Sequence, residues 1–181
     1  RLAAIGEATR DAGLELLPAA RRIEEEWGAL IYSTYASTEI ATTFCECKER
    51  RGGHLRPELL AFEILDENDQ PCPDGSPGEV VVTPLGVTGM PLLRFRTGDI
   101  ACRLSEPCPC GRNTPRISPV LGRKNQMLKY KGTTLFPGAI IAALEGHPDV
   151  AGAYVEHGLP GKFVQDGLQA LPFLFTAPFA V

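Results

Sequence analysis

The chain has 181 residues, 44% hydrophobic and 22% charged, which suits one soluble globular domain or parts of two. Its net charge of −4 argues against a nucleic-acid surface, which needs a basic face. No apolar run approaches the roughly 20 residues that cross a bilayer.

The start, residues 1–10, is amphipathic and mixed in charge, unlike a signal peptide. With no initiator Met, the sequence is expected to begin inside a longer chain. Six cysteines with close pairs, Cys45/Cys47 and Cys108/Cys110, point to metal in a reducing cytoplasm rather than to disulfides.

In chain order, residues 1–12 read as the end of a helix. Residues 18–27 read as a second helix, with Pro18 in an allowed first-turn position, Ile23 and Trp27 on one face, and Gly28 as the stop. Residues 29–33 form a short apolar run that reads as a buried strand, feeding a loop at residues 35–39. A charged, Cys-rich stretch covers 44–53. Residues 59–65 and 79–83 read as strands of a hairpin, joined by the turn-rich segment 66–77. Third and fourth strands are expected at 91–96 and 100–104, with Thr97-Gly98-Asp99 closing the third. Residues 107–111, Pro-Cys-Pro-Cys-Gly, read as a rigid knuckle. A strand or turn unit follows at 121–131, an amphipathic helix at 136–146 and a strand at 151–156. Residues 171–181 are apolar, hold two prolines and have no clean period.

Cys47, His54, Cys108 and Cys110 together supply three thiolates and an imidazole, a Cys₃His set for tetrahedral zinc. Cys45 competes with Cys47 for one place. The bland alternative is a set of reduced, unligated thiols. Zinc here would be structural, tying the loop near residue 47 to the knuckle. Cys72 and Cys102 read as unpaired structural thiols.

Five short motifs occur in a fixed order: Tyr35-Ala36-Ser37-Thr38-Glu39, Gly78-Glu79-Val80, Arg96-Thr97-Gly98-Asp99, Gly122-Arg123 and Lys131-Gly132. In that order they resemble the adenylate-forming (AMP-binding) superfamily. Residues 90–96 and 127–137 resemble its phenylacetate–coenzyme A ligase branch, and the resemblance covers residues 27 to about 155.

The resemblance implies an ATP-dependent, AMP-forming acid–coenzyme A ligase working through an acyl-adenylate. An aryl or arylacetic acid such as phenylacetate is the implied substrate, with ATP/AMP, Mg²⁺ and coenzyme A as the other parties. Tyr35 would stack on adenine. The Thr38 hydroxyl would bond an α-phosphate oxygen, and Glu39 would be a hard oxygen ligand for magnesium. The Asp99 carboxylate, with two acceptor oxygens, would match the ribose diol. Arg123 would reach the ribose or phosphate. Asn125 would sit at the hinge about which the smaller domain rotates. Lys131 and Gly132 would flank the pantetheine channel. The same resemblance favours Cys47 over Cys45 as zinc ligand. It also admits a homodimer, and the cysteine usage without a secretion signal leads to the cytoplasm as the expected compartment.

The implied fold is α+β. Residues 1–121 would be the last, mostly antiparallel β subdomain of the large AMP-binding domain. Residues 122–156 would start a small α+β C-terminal domain, and residues 157–181 would be a divergent apolar tail. The family's phosphate loop, a Gly-Glu-Pro strand ahead of the helix at 18–27, and a late catalytic Lys are not read in this sequence. A truncated, catalytically poor chain is therefore expected. Two other readings stay open: a non-catalytic zinc-stabilised interaction module, and adenylation with an acceptor other than coenzyme A.

Overall fold

Alternation of apolar side chains builds most of this molecule into one twisted, nine-stranded sheet. The structure is a computed structural model and describes residues 1–6, 8–130 and 133–136. These residues fall in one compact unit of the chain, Arg1–Ala143. The expected helix at 136–146 beyond its first residue, the strand at 151–156, the apolar tail, and Lys131 and Gly132 lie outside the described residues.

The strands are β1 (Leu2–Ile5), β2 (Ile31–Ser37), β3 (Ala41–Glu46), β4 (Gly53–Leu55), β5 (Leu60–Leu65), β6 (Pro77–Pro84), β7 (Phe95–Leu104), β8 (Arg116–Ile117) and β9 (Gly122–Arg123). Their spatial order is β1-β2-β3-β4-β8-β7-β6-β5, with β9 also paired to β7. Every pairing is antiparallel except β1 with β2, which is parallel. A one-turn 3₁₀ segment, Lys124–Gln126, follows β9. A separate two-stranded ribbon, β10 (Leu128–Tyr130) with β11 (Thr133–Leu135), comes next. The α+β class and the hairpin at 59–83 stand as expected.

The one α-helix among the described residues, α1 (Pro18–Trp27), opens with Pro18, whose fixed φ suits a first turn, and ends at Gly28 with φ 60°. Only Ala20 is buried on it, and Trp27 is exposed. Its tether is polar: Glu24 accepts the backbone N–H of Ile31 and a guanidinium N–H of Arg50. The core is built by Phe44, Leu55, Leu60, Ile64, Val80, Val82, Ala101 and Ile117, joined by Ile40. Val80, Val81 and Val82 are consecutive and all buried, so β6 is covered on both faces.

Four expectations are corrected. Residues 2–5 form a strand, not the end of a helix; a four-residue apolar run carries no period that separates the two. A strand expected to be missing before α1 is therefore present earlier, as β1, with Gly6-Glu7-Ala8 rather than Gly-Glu-Pro after it in sequence, and residues 8–17 fill the interval. The third and fourth strands are one: β7 begins at Phe95, and residues 91–94 lie in the connection. Tyr35, Ala36 and Ser37 belong to β2 rather than to a loop, and the turn that follows leads into β3.

Candidate functional site

Two clusters of polar side chains emerge from this sheet. The first lies where the ends of β1 and β2 face β7 and β9, along a cleft of about 450 Å³. Thr9, Ser33, Tyr35, Asp99, Arg123 and Gln126 are among its lining.

Asp99 is placed by an irregularity in β7. The β6–β7 register shifts between Glu79 and Val81, and Gly98 takes φ 75°, which favours glycine. Thr97 Oγ1 donates to the Val80 carbonyl at 2.9 Å and accepts the Asp99 N–H at 3.1 Å. The Asp99 side chain is 12% exposed, and both its oxygens are engaged. Tyr35 Oη donates to Oδ2 at 2.8 Å, and Arg123 Nε lies 3.2 Å from Oδ1. Burial raises the Tyr35 phenol well above its ordinary value, and the nearby Asp99 carboxylate adds to that, so the hydroxyl is a donor throughout the physiological range. Behind it the Tyr35 ring leans on Phe44, with centroids 6.0 Å apart.

Thr38 and Glu39 sit on the exposed turn after β2 and are not part of the cleft lining. Ser37 Oγ donates to Glu39 Oε2 at 2.7 Å. That bond, the residue's own backbone N–H and the Arg123 charge hold the Glu39 carboxyl below its usual range. It is an ionised, solvent-facing carboxylate.

Next to this site, Lys124 Nζ lies 2.9 Å from Glu79 Oε2, and Arg96 Nε is 3.2 Å from the same oxygen. The consecutive cations Arg123 and Lys124 are thus each held by an acid of the sheet. Gly122 pairs with Ile100, and the Phe136 ring occupies the space that a Cβ at Gly122 would fill.

The second cluster gathers Cys47, His54, Cys108 and Cys110, whose ligand atoms all lie within 4.8 Å of one another. Cys47 and Cys108 Sγ are 3.6 Å apart, and Cys110 Sγ is 3.5 Å from His54 Nε2. A tetrahedron with about 2.3 Å zinc–sulfur and about 2.0–2.1 Å zinc–nitrogen bonds sets these separations at about 3.8 and about 3.6 Å, so the four residues fit the ion. His54 Nδ1 is 3.0 Å from Thr114 Oγ1, which leaves Nε2 to face the sulfurs. Burial pushes the Cys47 thiol up to about 11, an energetic cost that a cation among these sulfurs would offset. The backbone N–H of Arg112 draws the Cys110 thiol down. Cys45 faces His54 in the β3–β4 register, yet its sulfur stays outside the cluster.

Arg116, which motif reading passed over, is buried and donates to the carbonyls of Arg51 and Glu106, pinning together the two loops that carry the cysteines. Glu46, beside Cys47, is likewise buried and pairs with Arg10. All six cysteines are free thiols. No helix among the described residues is long and apolar enough to cross a membrane.

No protein-family model matches the chain. It is 34% identical over 138 residues to the phenylacetate-coenzyme A ligase of Thermus thermophilus, covering 74% of this chain and 31% of that protein. It is 33% identical over 116 residues to the phenylacetate-coenzyme A ligase of Aromatoleum evansii, covering 61% of this chain and 25% of that one. Among solved structures it superposes on 2-hydroxyisobutyryl-CoA ligase, captured after adenylation with its acyl-AMP, with a TM-score of 0.67 and 26% identity. That match covers 81% of this chain and 31% of the ligase. The chain thus spans at most about a third of the length of these proteins.

Proposed function

This chain is a partial-length member of the adenylate-forming superfamily, related to its phenylacetate–coenzyme A ligases, and from that premise we propose that it supplies the nucleotide-holding part of an ATP-dependent, AMP-forming acid–coenzyme A ligase. The observation that carries the reading is the Asp99 carboxylate, held at a cleft between a phenol and a guanidinium with both oxygens turned to donors. A ribose cis-diol presents two hydroxyl donors, the complement of that group.

In the proposed reaction a carboxylate oxygen of the acid attacks the α-phosphorus of ATP, and the bond to pyrophosphate breaks. A thiol sulfur then attacks the acyl carbon, and AMP leaves. Tyr35 offers a ring to adenine. Arg123, 60% exposed in its side chain, can swing from Asp99 to the ribose or phosphate. Thr38 would bond an α-phosphate oxygen. Glu39 would hold magnesium, which neutralises charge spreading over the phosphates when bound. Lys131 and Gly132 are proposed beside the thiol arm. An arylacetic acid such as phenylacetate is the proposed substrate, coenzyme A the proposed acceptor, and a reducing cytoplasm the proposed compartment. We propose the boundary between the large and small domains at residues 121/122, ahead of β9, which still pairs with β7, and of the separate β10–β11 ribbon.

Zinc at Cys47, His54, Cys108 and Cys110 would be structural, since four protein ligands leave no open position. The same cluster favours a second reading, a zinc-stabilised module that holds no nucleotide. Calorimetry with AMP separates the two. Micromolar to low-millimolar binding that is lost in Asp99→Ala supports the ligase reading. In the full-length protein, acid-dependent exchange of pyrophosphate into ATP should fall with Asp99→Ala and with Glu39→Ala. Zinc retention with no AMP binding would favour the module.

A further inference from the structure

Tyr35 and Asp99 are 64 positions apart in sequence, and their strands are not neighbours: β3, β4 and β8 lie between β2 and β7 in the sheet. The sheet curls enough for the phenol to reach across and bond one carboxylate oxygen. We infer that the Tyr35 hydroxyl is a positioning group that fixes the rotation of the Asp99 carboxylate, so that its remaining acceptor capacity faces the ribose diol. The inference rests on the nucleotide reading above and adds to it a role for the hydroxyl distinct from stacking of the ring.

The geometry supports this in three ways. First, the two Asp99 oxygens have different partners. Oδ2 takes the hydroxyl of a half-buried side chain at 2.8 Å, whereas Oδ1 faces a guanidinium on a mostly exposed arm at 3.2 Å. A ligand diol can displace the exposed arm at little cost but not the packed phenol. Second, the phenol is itself immobilised. Its ring packs on Phe44, which is fully buried and meets Phe62 edge-on at 5.2 Å. Third, the backbone of Asp99 is fixed by Thr97 Oγ1, so the χ rotation of the carboxylate is the freedom left for the phenol to remove. A carboxylate free to rotate would lose entropy on binding the diol; one already held loses less.

The test compares two ligands on Tyr35→Phe, which keeps the ring and deletes only the hydroxyl. Affinity for AMP should fall about fivefold, the size of one net hydrogen bond, while affinity for 2′,3′-dideoxy-AMP stays within about twofold of wild type. Equal losses for both ligands would mean that Tyr35 acts through ring packing, and the inference is overturned. No loss for either overturns it as well. If wild type binds both ligands equally, Asp99 does not hold the diol; if it binds neither, the nucleotide reading itself fails. A second measurement needs no change at Tyr35. With ¹³C-ζ tyrosine, the Tyr35 signal should ionise well above the ordinary tyrosine range, and its midpoint should move down in Asp99→Asn. A midpoint that does not move would also overturn the positioning role.

Discussion

Arg10 and Glu46 form an ion pair of 2.7 Å with side chains only 5% and 2% exposed, joining the segment before α1 to the end of β3. The second Glu46 oxygen accepts the Ser33 N–H at 2.9 Å, and Arg10 also donates to the Leu14 carbonyl. Both charges have left water, so the pair matters through what its loss would strand. Glu46→Ala should destabilise the chain by about 3–5 kcal/mol, because a buried guanidinium is left without its counter-charge. Glu46→Gln keeps the side-chain shape and one acceptor oxygen, but it too removes the counter-charge and turns an amide N–H₂ toward the second donor, so it should cost nearly as much, about 2–4 kcal/mol. Urea unfolding gives both values; a Glu46→Gln chain as stable as wild type would mean that charge is not the issue.

The cysteine cluster makes a prediction about metal. Purified protein should carry zinc near one equivalent by plasma mass spectrometry. Cys108→Ser should lose it and Cys45→Ser should keep it, because the Cys45 sulfur is outside the cluster. Chelation should lower Tm by more than about 10 °C, since metal binding to a site formed only on folding is folding free energy. Retention of full stability after complete metal removal would contradict a structural role.

Much of this was legible in the sequence, and the failures have physical reasons. The hairpin of β5 and β6 announced itself by a turn segment dense in Asp, Asn, Pro and Gly between two apolar runs. Helix α1 was marked by Pro18 and Gly28 at its ends. Strand β1 was not legible, because Leu2–Ile5 is too short to show a period. Thr97-Gly98-Asp99 looked like a strand end because glycine usually breaks a strand; here Gly98 belongs to an irregularity inside β7 that aims Asp99. In the cysteine–histidine cluster, residue types pointed to the four residues that the fold brings together. Arg116, Glu46 and the Tyr35–Asp99 contact were invisible, because each joins segments distant in sequence and none has a motif of its own.

Asp66 should titrate low. Its Oδ1 accepts the backbone N–H of Gln70 at 2.9 Å and of Asn68 at 2.8 Å, and these bonds favour the charged form, lowering the carboxyl from 3.8. The folded value lies below the unfolded one, so folding is favoured above the unfolded value, and that contribution is lost as pH falls through the folded value. The group is fully exposed, so the effect on stability is small. Carboxyl carbon NMR should place the midpoint below 3.8, and Asp66→Asn should flatten the acid limb of the stability curve between the two values. A midpoint at or above 3.8 would refute the turn geometry.

Gly122 should not tolerate a side chain. A Cβ there would overlap the Phe136 ring, an aromatic with few ways to retreat, and the backbone already takes φ 154°. Gly122→Ala should cost about 1–3 kcal/mol and weaken the pairing of β9 with β7. Hydrogen exchange at Leu121, whose N–H donates to the Ile100 carbonyl at 2.8 Å, would report the loosening. Unchanged protection would mean that Phe136 moves aside freely.

Asp99 offers the sharpest separation of stability from function. Asp99→Asn keeps the size of the side chain and leaves one carbonyl oxygen to accept from Tyr35. What it removes is the negative charge and one acceptor. On the stability side the loss is small, because the Arg123 partner is 60% exposed and such a pair is worth at most about 1 kcal/mol. On the binding side a charge-assisted contact to the ribose is lost, and the new amide N–H₂ faces a hydroxyl donor. Affinity for AMP should therefore fall tenfold or more, while Tm shifts by less than about 4 °C. Arg123→Ala should leave Tm unmoved and weaken AMP by less than Asp99→Asn, since an exposed arm is replaced by water more readily than a buried carboxylate. If Asp99→Asn binds AMP as wild type does, the ribose role is wrong, and Asp99 serves only to anchor Tyr35 and β9.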